Sequence, residues 1–162
     1  MTPKSPGLKV EHMTARTEAE YASFVERHPR GLLYLSVQYR DFLLRILPGC
    51  EPLYLLARDA GEVVGVLPLF VHHGSKYGAV INSLPFFGSN GGILVWEGSS
   101  QAAVIRHALL EEYLRLEQSC RVAASTLITS PFESVSSDYD ALLGPPADTR
   151  IGQMSALPKA EG

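Results

Sequence analysis

The sequence has too few cysteines for a disulfide framework: only Cys50 and Cys120 occur. They stand far apart and outside any metal-ligand spacing, so they read as thiols of a reducing compartment. Long apolar runs are also missing. The longest, Val63–Val71, is interrupted by Gly65 and Pro68, and nothing reads as a membrane span. The amino terminus, MTPKSPGLKVEHM, has no apolar segment of signal-peptide type, which points to a soluble, cytoplasmic protein. A basic excess is lacking too. Fourteen Lys and Arg against 17 Asp and Glu give a formal net charge of −3, with no basic stripe, so DNA is not an expected partner. The five histidines do not cluster. His72 and His73 are adjacent in a strand and point to opposite faces, so no metal is expected. No G-x-S-x-G elbow surrounds Ser125 or Ser130, which leaves a hydrolase nucleophile without support. There is no internal repeat and no low-complexity tract.

What is present is an ordinary globular balance, 46% hydrophobic and 19% charged, in a chain long enough for one sizeable core. The expected organisation is a loose tail over 1–7, one domain over 8–158 and a frayed end over 159–162. Leu8–Met13 alternates as a strand does. Thr17 and Glu20 have the spacing of a capping box for a helix running to Arg27, with Tyr21, Phe24 and Val25 inward. Ser36 suits the N-cap of a helix over Val37–Leu47, whose Tyr39, Phe42, Leu43, Ile46 and Leu47 fall on one face. Leu53–Arg58 and Glu62–Val71 form a hairpin about Asp59-Ala60-Gly61. Pro68 cannot donate to a ladder, so it marks an edge, a bulge or a place where strands part. Strands follow at Gly78–Asn82, Gly91–Val95 and Val122–Thr129. Ser99 or Ser100 caps a long helix to Ser119, which buries Ile105, Leu109, Tyr113 and Leu116. A short helix over Val135–Leu143 and a last strand over Arg150–Leu157 complete the order.

The chain is organised around Ser83–Leu94, SLPFFGSNGGIL. Pro85, Phe86 and Phe87 offer apolar walls, and Asn90, Gly91 and Gly92 offer a backbone that another group can approach closely. This stretch is either a binding loop or a tight crossing whose phenylalanines join the core. Amides of Ser89–Gly92 suit an anion nest or a plain turn. Bulkier residues at Asn90 and Gly91 are expected to abolish binding and spare folding. Tyr34 and Arg40 are substrate-binding candidates, or a packed ring and a solvated helix face. Arg150 suits a bidentate anion contact, or a pair with Asp148. Glu133, after a strand and a Pro-Phe turn, suits a base or a helix cap.

This order of elements matches the GNAT acyltransferase fold: α/β, with a central mixed, mostly antiparallel, splayed sheet flanked by helices. The residues add a narrower likeness. His28-Pro29, Val37-Gln38-Tyr39-Arg40, Glu51–Ala57, Gly65–Phe70, Ser83-Leu84-Pro85-Phe86 with Gly91-Gly92, Thr129–Phe132 and Asp148–Gln153 together resemble the FemAB-like proteins. The nearest group is the one tied to exosortase and exopolysaccharide loci. The resemblance covers nearly the whole chain. It implies an acyl or aminoacyl transferase acting on an amine of a cell-envelope or exopolysaccharide precursor, with aminoacyl-tRNA or acyl-CoA as donor. It also implies a second GNAT-like domain, which would begin where this sequence ends, so the expectation is half an enzyme, inactive alone. The expected cleft is lined by the Pro68 strand, Pro85–Gly92 and Thr129–Glu133. A GNAT enzyme using acetyl-CoA usually cradles pyrophosphate on an R/Q-x-x-G-x-G/A loop before a helix. No such loop follows Val122–Thr129, where SPFESVSS stands. The rival readings are a stand-alone acetyl-CoA-dependent N-acetyltransferase and a non-catalytic substrate- or partner-binding module.

Overall fold

The computed structural model describes residues 7–83, 90–133 and 137–149. One long hairpin is its frame. Strand β3 (Leu55–Asp59) turns through Ala60-Gly61 into β4 (Glu62–Leu67), with Asp59 opposite Glu62. Both turn residues have positive φ, 48° and 92°, as the two-residue turn matching strand twist requires. The Arg58 guanidinium donates to the Gly61 carbonyl (2.9 Å) and closes the turn.

The other ends of the same two strands belong to a second sheet. Strand β2 (Cys50–Pro52) pairs with β5 (Phe70–Ser75), and only Leu53-Tyr54 and Pro68-Leu69 separate the two ladders. The Leu53 amide still donates to the Leu69 carbonyl (2.8 Å), but Pro68 has no N–H to give. Pro68 therefore marks where one sheet becomes two, one of the three outcomes its presence in an apolar run allows.

The next pair of strands repeats this passage. Strand β6 (Gly78–Asn82) lies beside β5, and β7 (Leu94–Val95) lies beside β4. The sheet orders are β1-β3-β4-β7, with β1 at Lys9–His12, and β2-β5-β6-β8, with β8 at Val122–Thr126. Strand β8 runs parallel to β6 only. Among the described residues no strand follows the outer edge of β7. The sheet thus parts between β7 and the continuation of β8.

Helices cover the two faces unequally. Helix α3 (Ala102–Ser119) packs on one face with Leu55, Ala57, Leu67, Val71 and Ile81. Helices α1 (Glu18–Arg27) and α2 (Val37–Ile46) pack on the other with Leu56, Val66, Phe70 and Leu94. Each fully buried leucine contributes about 2 kcal/mol. A short helix α4, Ser137–Leu143, packs against α3.

Local expectations fail where a longer-range partner wins. The capping box does not form. The Thr17 hydroxyl accepts from the Thr14 amide (2.9 Å), and the Glu20 carboxylate pairs with Arg58 (2.5 Å). In α2 the Ser36 cap does form, accepting from the Tyr39 amide (3.1 Å), but only Tyr39 and Leu43 are buried. Phe42 and Ile46 remain 46% and 40% exposed, because α2 leaves sheet contact at its outer side. Helix α3 starts at Ala102 without a side-chain cap, later than Ser99 or Ser100 would place it. Strand β7 is shorter than Gly91–Val95, and β8 stops at Thr126. Arg150–Leu157 lies outside the described residues.

Candidate functional site

The parting of β7 from β8 is built by two glycines. Ser83 prolongs the β6–β8 ladder: its amide donates to the Thr126 carbonyl (2.9 Å), and its hydroxyl accepts from the Ile128 amide (2.8 Å). The chain then returns at Gly91, where a Cβ would sit 2.7 Å from the Ser83 carbonyl oxygen. Gly92 has φ +82°, and its Cβ would lie 3.0 Å from both the Ile128 oxygen and the Thr129 Cα. The structure thus corrects the expectation that residue 91 can be enlarged without harm to folding. Both glycines are required by close crossing of backbones.

Beyond Gly92 the segments diverge. One enters β7 and then the approach to α3. The other turns at Ser130–Glu133, where the Glu133 amide donates to the Ser130 carbonyl (3.0 Å) and the Ser130 hydroxyl accepts from the Phe132 amide (3.3 Å). Pro131 occupies the turn position that its fixed φ suits.

Between the diverging segments sits Arg106, from the second turn of α3. It is 5% exposed. Its guanidinium donates to Asp138 (2.7 Å), Glu97 (2.8 Å) and Glu133 (3.3 Å). One cation thereby ties the approach to α3, the β8–α4 turn and α4 itself. Burial opposes its charge, but the three carboxylates outweigh that and hold its pKa above the usual range. The Glu133 carboxylate also accepts from the Tyr139 hydroxyl (3.1 and 3.2 Å), whose oxygen in turn accepts from the Ile93 amide (3.4 Å). Desolvation raises the Glu133 pKa above its ordinary value; Arg106 and Tyr139 offset part of the rise. Its observed partners are thus Arg106 and Tyr139 rather than a helix end.

On the opposite face, His28 holds the end of β7. The Arg30 amide donates to its Nδ1 (3.1 Å), so the proton sits on Nε2, which donates to the Val95 carbonyl (3.1 Å). Its ring stacks on Trp96 at 4.4 Å. Burial lowers its pKa below 6.5.

The approach to α3, Trp96–Gln101, lies before the helix rather than after β8, where a phosphate loop is expected from the sequence. The Ala102 amide donates to the Ser99 carbonyl, and the Gln101 amide to the Ser99 hydroxyl. The amides of Gly98, Ser100, Ala103 and Val104 have no acceptor among the described residues. They stand at the positive end of an 18-residue helix. A Cβ on Gly98 would meet nothing within 4 Å. Glu97, the nearest anion, is drawn to Arg106 and, at 3.8 Å, to Arg30. This donor set fits a phosphate, although it has one glycine where the usual loop has two. The signal available in the sequence was a Gly-Ser-Ser run directly before the longest helix.

The remaining candidates fall elsewhere. Tyr34 packs edge-on to Tyr39 at 5.2 Å, and Arg40 is paired with Glu18 (2.6 Å) and Asp41 (2.7 Å), both on the α1–α2 face and away from Glu133. Asn90 is half-buried beside Gly91. Pro85, Phe86, Phe87 and Arg150 lie outside the described residues. Among the described residues no group of three His, Cys, Asp or Glu can hold a metal, and no helix is long and apolar enough to cross a membrane.

Solved structures share this architecture over nearly the full chain. An aminoglycoside N-acetyltransferase, AAC(6')-Iy, in complex with CoA superposes with a TM-score of 0.57 at 14% identity, covering 97% of this chain and 100% of its own. A probable acetyltransferase gives 0.55 at 15% identity, covering 94% and 99%. A ribosomal-protein-alanine N-acetyltransferase from Brucella melitensis biovar Abortus 2308 gives 0.55 at 12% identity, covering 92% and 99%. No family model and no curated protein matches the sequence. At these identities the likeness establishes the fold: a GNAT-like acyl-CoA N-acetyltransferase fold, with a central mixed sheet flanked by helices.

Proposed function

We propose that this chain is an N-acyltransferase that moves an acyl group from acyl-CoA to a primary amine. The observation that carries the reading is the parting of β7 from β8 directly beside unpaired amides at the start of α3. The fold's likeness to N-acetyltransferases, one of them holding CoA, supports the donor. Acyl-CoA, when bound, supplies an activated acyl carbon. The amides of Gly98, Ser100, Ala103 and Val104 are the groups that hold its phosphates. Arg106 keeps the Glu97 carboxylate turned from that seat. An amine attacks only when neutral, so its ammonium proton must leave first. Glu133 is the proton acceptor in this reading, because burial has moved its carboxyl toward the working pH. Tyr139 and Arg106 fix its orientation.

A second, finer reading rests on the ordered FemAB-like segments and on β8, whose residues from Ala123 to Thr126 are exposed along an edge strand. In it the chain works with a further GNAT-like domain, aminoacyl-tRNA is the donor, and the acceptor amine sits on a cell-envelope or exopolysaccharide precursor. Acetyl transfer to a panel of primary amines, with wild type and Glu133→Gln, separates the two. The first reading expects turnover by wild type and a loss of about 10²–10⁴-fold in kcat for the folded variant. Absence of transfer to every amine removes the first reading. Unchanged kcat in the variant removes Glu133 from the chemistry.

A further inference from the structure

Helices α1 and α2 bury Phe70 of the second sheet and cover the rest of that face only in part. Register identifies its residues. His72 lies opposite Cys50 on one side and Val80 on the other, and Phe70 lies opposite Asn82. All five therefore point to the same face. Their neighbours Val71, Ala79 and Ile81 point to the α3 core. Among the described residues, Leu47 and Pro48, at the end of α2, reach over this face, and the space between is a cavity of about 330 Å³. That is the size at which small-ligand sites begin.

The chemistry of the walls is specific. Among the described residues no Asp, Glu, Lys or Arg lines the cavity. The Gly74 amide donates to Nδ1 of His72 (3.3 Å), which leaves Nε2 as the ring's remaining hydrogen-bonding atom. Burial raises the Cys50 thiol pKa, which keeps it uncharged. Asn82 adds one amide. An ion entering such a space loses water and gains no counter-charge, a cost of several kcal/mol. A neutral apolar body ending in a hydrogen-bonding group finds apolar walls and two polar partners. The exposed Phe42 and Ile46 extend the apolar surface along α2, next to Leu47.

We propose that this cavity, bounded by Leu47, Cys50, Phe70, His72, Val80 and Asn82, binds an uncharged acyl or alkyl chain that ends in a carbonyl or amide. The site is separate from the Glu133 corner, and its test does not depend on turnover. The chain carries its own reporter, because Cys50 lines the cavity and Cys120 lies at the end of α3. The experiment measures alkylation of each thiol by N-ethylmaleimide, resolved by mass spectrometry, with octanamide, octanoate or octylammonium present. At about ten times its Kd, octanamide should slow Cys50 about tenfold by mass action and leave Cys120 unchanged. The two ions should protect neither. Val80→Trp, which fills the cavity, should abolish protection. Asn82→Leu, which keeps the space but removes the amide, should weaken it, and serves if the tryptophan variant melts early. Equal slowing of both thiols, no slowing of Cys50, or equal protection by the ions overturns the proposal.

Discussion

The two ends of the molecule treat charge in opposite ways. At the start of α3 a buried guanidinium gathers three carboxylates, and helix amides stand unpaired beside it. Across the second sheet, the cavity between β2, β5 and β6 is lined by no Asp, Glu, Lys or Arg among the described residues. The difference teaches that the fold offers one seat suited to an anion and one suited to a neutral chain, kept apart by a sheet.

The largest effect should come from breaking the charged corner. Arg106→Ala leaves three carboxylates without their cation, two of them largely buried. A loss of about 3–5 kcal/mol is expected, read by urea unfolding. A loss below about 1 kcal/mol would show that the carboxylates find other partners. The cavity lies across the sheet, so Cys50 alkylation in the folded variant should be unchanged.

A smaller effect concerns the end of β7. His28 has a folded pKa below 6.5 because burial disfavours its charged form. The unfolded chain therefore binds more protons at this site as pH falls below 6.5. Stability is fully present above that value and is lost as pH drops toward the folded pKa. Protonation also puts a hydrogen on Nδ1, where the Arg30 amide now donates. Glu133 acts in the reverse sense: its raised pKa removes stability as pH rises above its ordinary 4.5. Urea unfolding at pH 7.5 and 5.5 should show wild type losing more stability at 5.5, relative to 7.5, than His28→Asn does. An identical pH slope in both proteins would remove His28 as the cause.

The frame of the fold was legible because its signals are local. Asp59-Ala60-Gly61 announces the hairpin, and a proline inside an apolar run announces the passage between sheets at Pro68. The Arg106 corner was not legible. An arginine among Ile105, Ala108 and Leu109 reads as an interruption of a buried face, and its partners come from three separate segments. Glu20 has the spacing of a capping box and goes instead to Arg58, contributed by a neighbouring strand. Phe42 and Ile46 have helical spacing and stay exposed, because periodicity identifies a face without saying how far the covering sheet extends. Gly98 is not legible as a phosphate contact, because a single glycine lacks the pattern that two would make. Its value came from the helix behind it.

The most direct test is the melting temperature with saturating acetyl-CoA, for wild type and Gly98→Glu. The variant adds a carboxylate where a Cβ meets nothing, so its own folding should be unaffected. At about a hundred times Kd the donor should stabilise wild type by about 2.7 kcal/mol, roughly 5–10 °C for a domain of this size. Gly98→Glu should show almost none of this rise. No rise in wild type, or the same rise in both proteins, would contradict an anion seat at the start of α3.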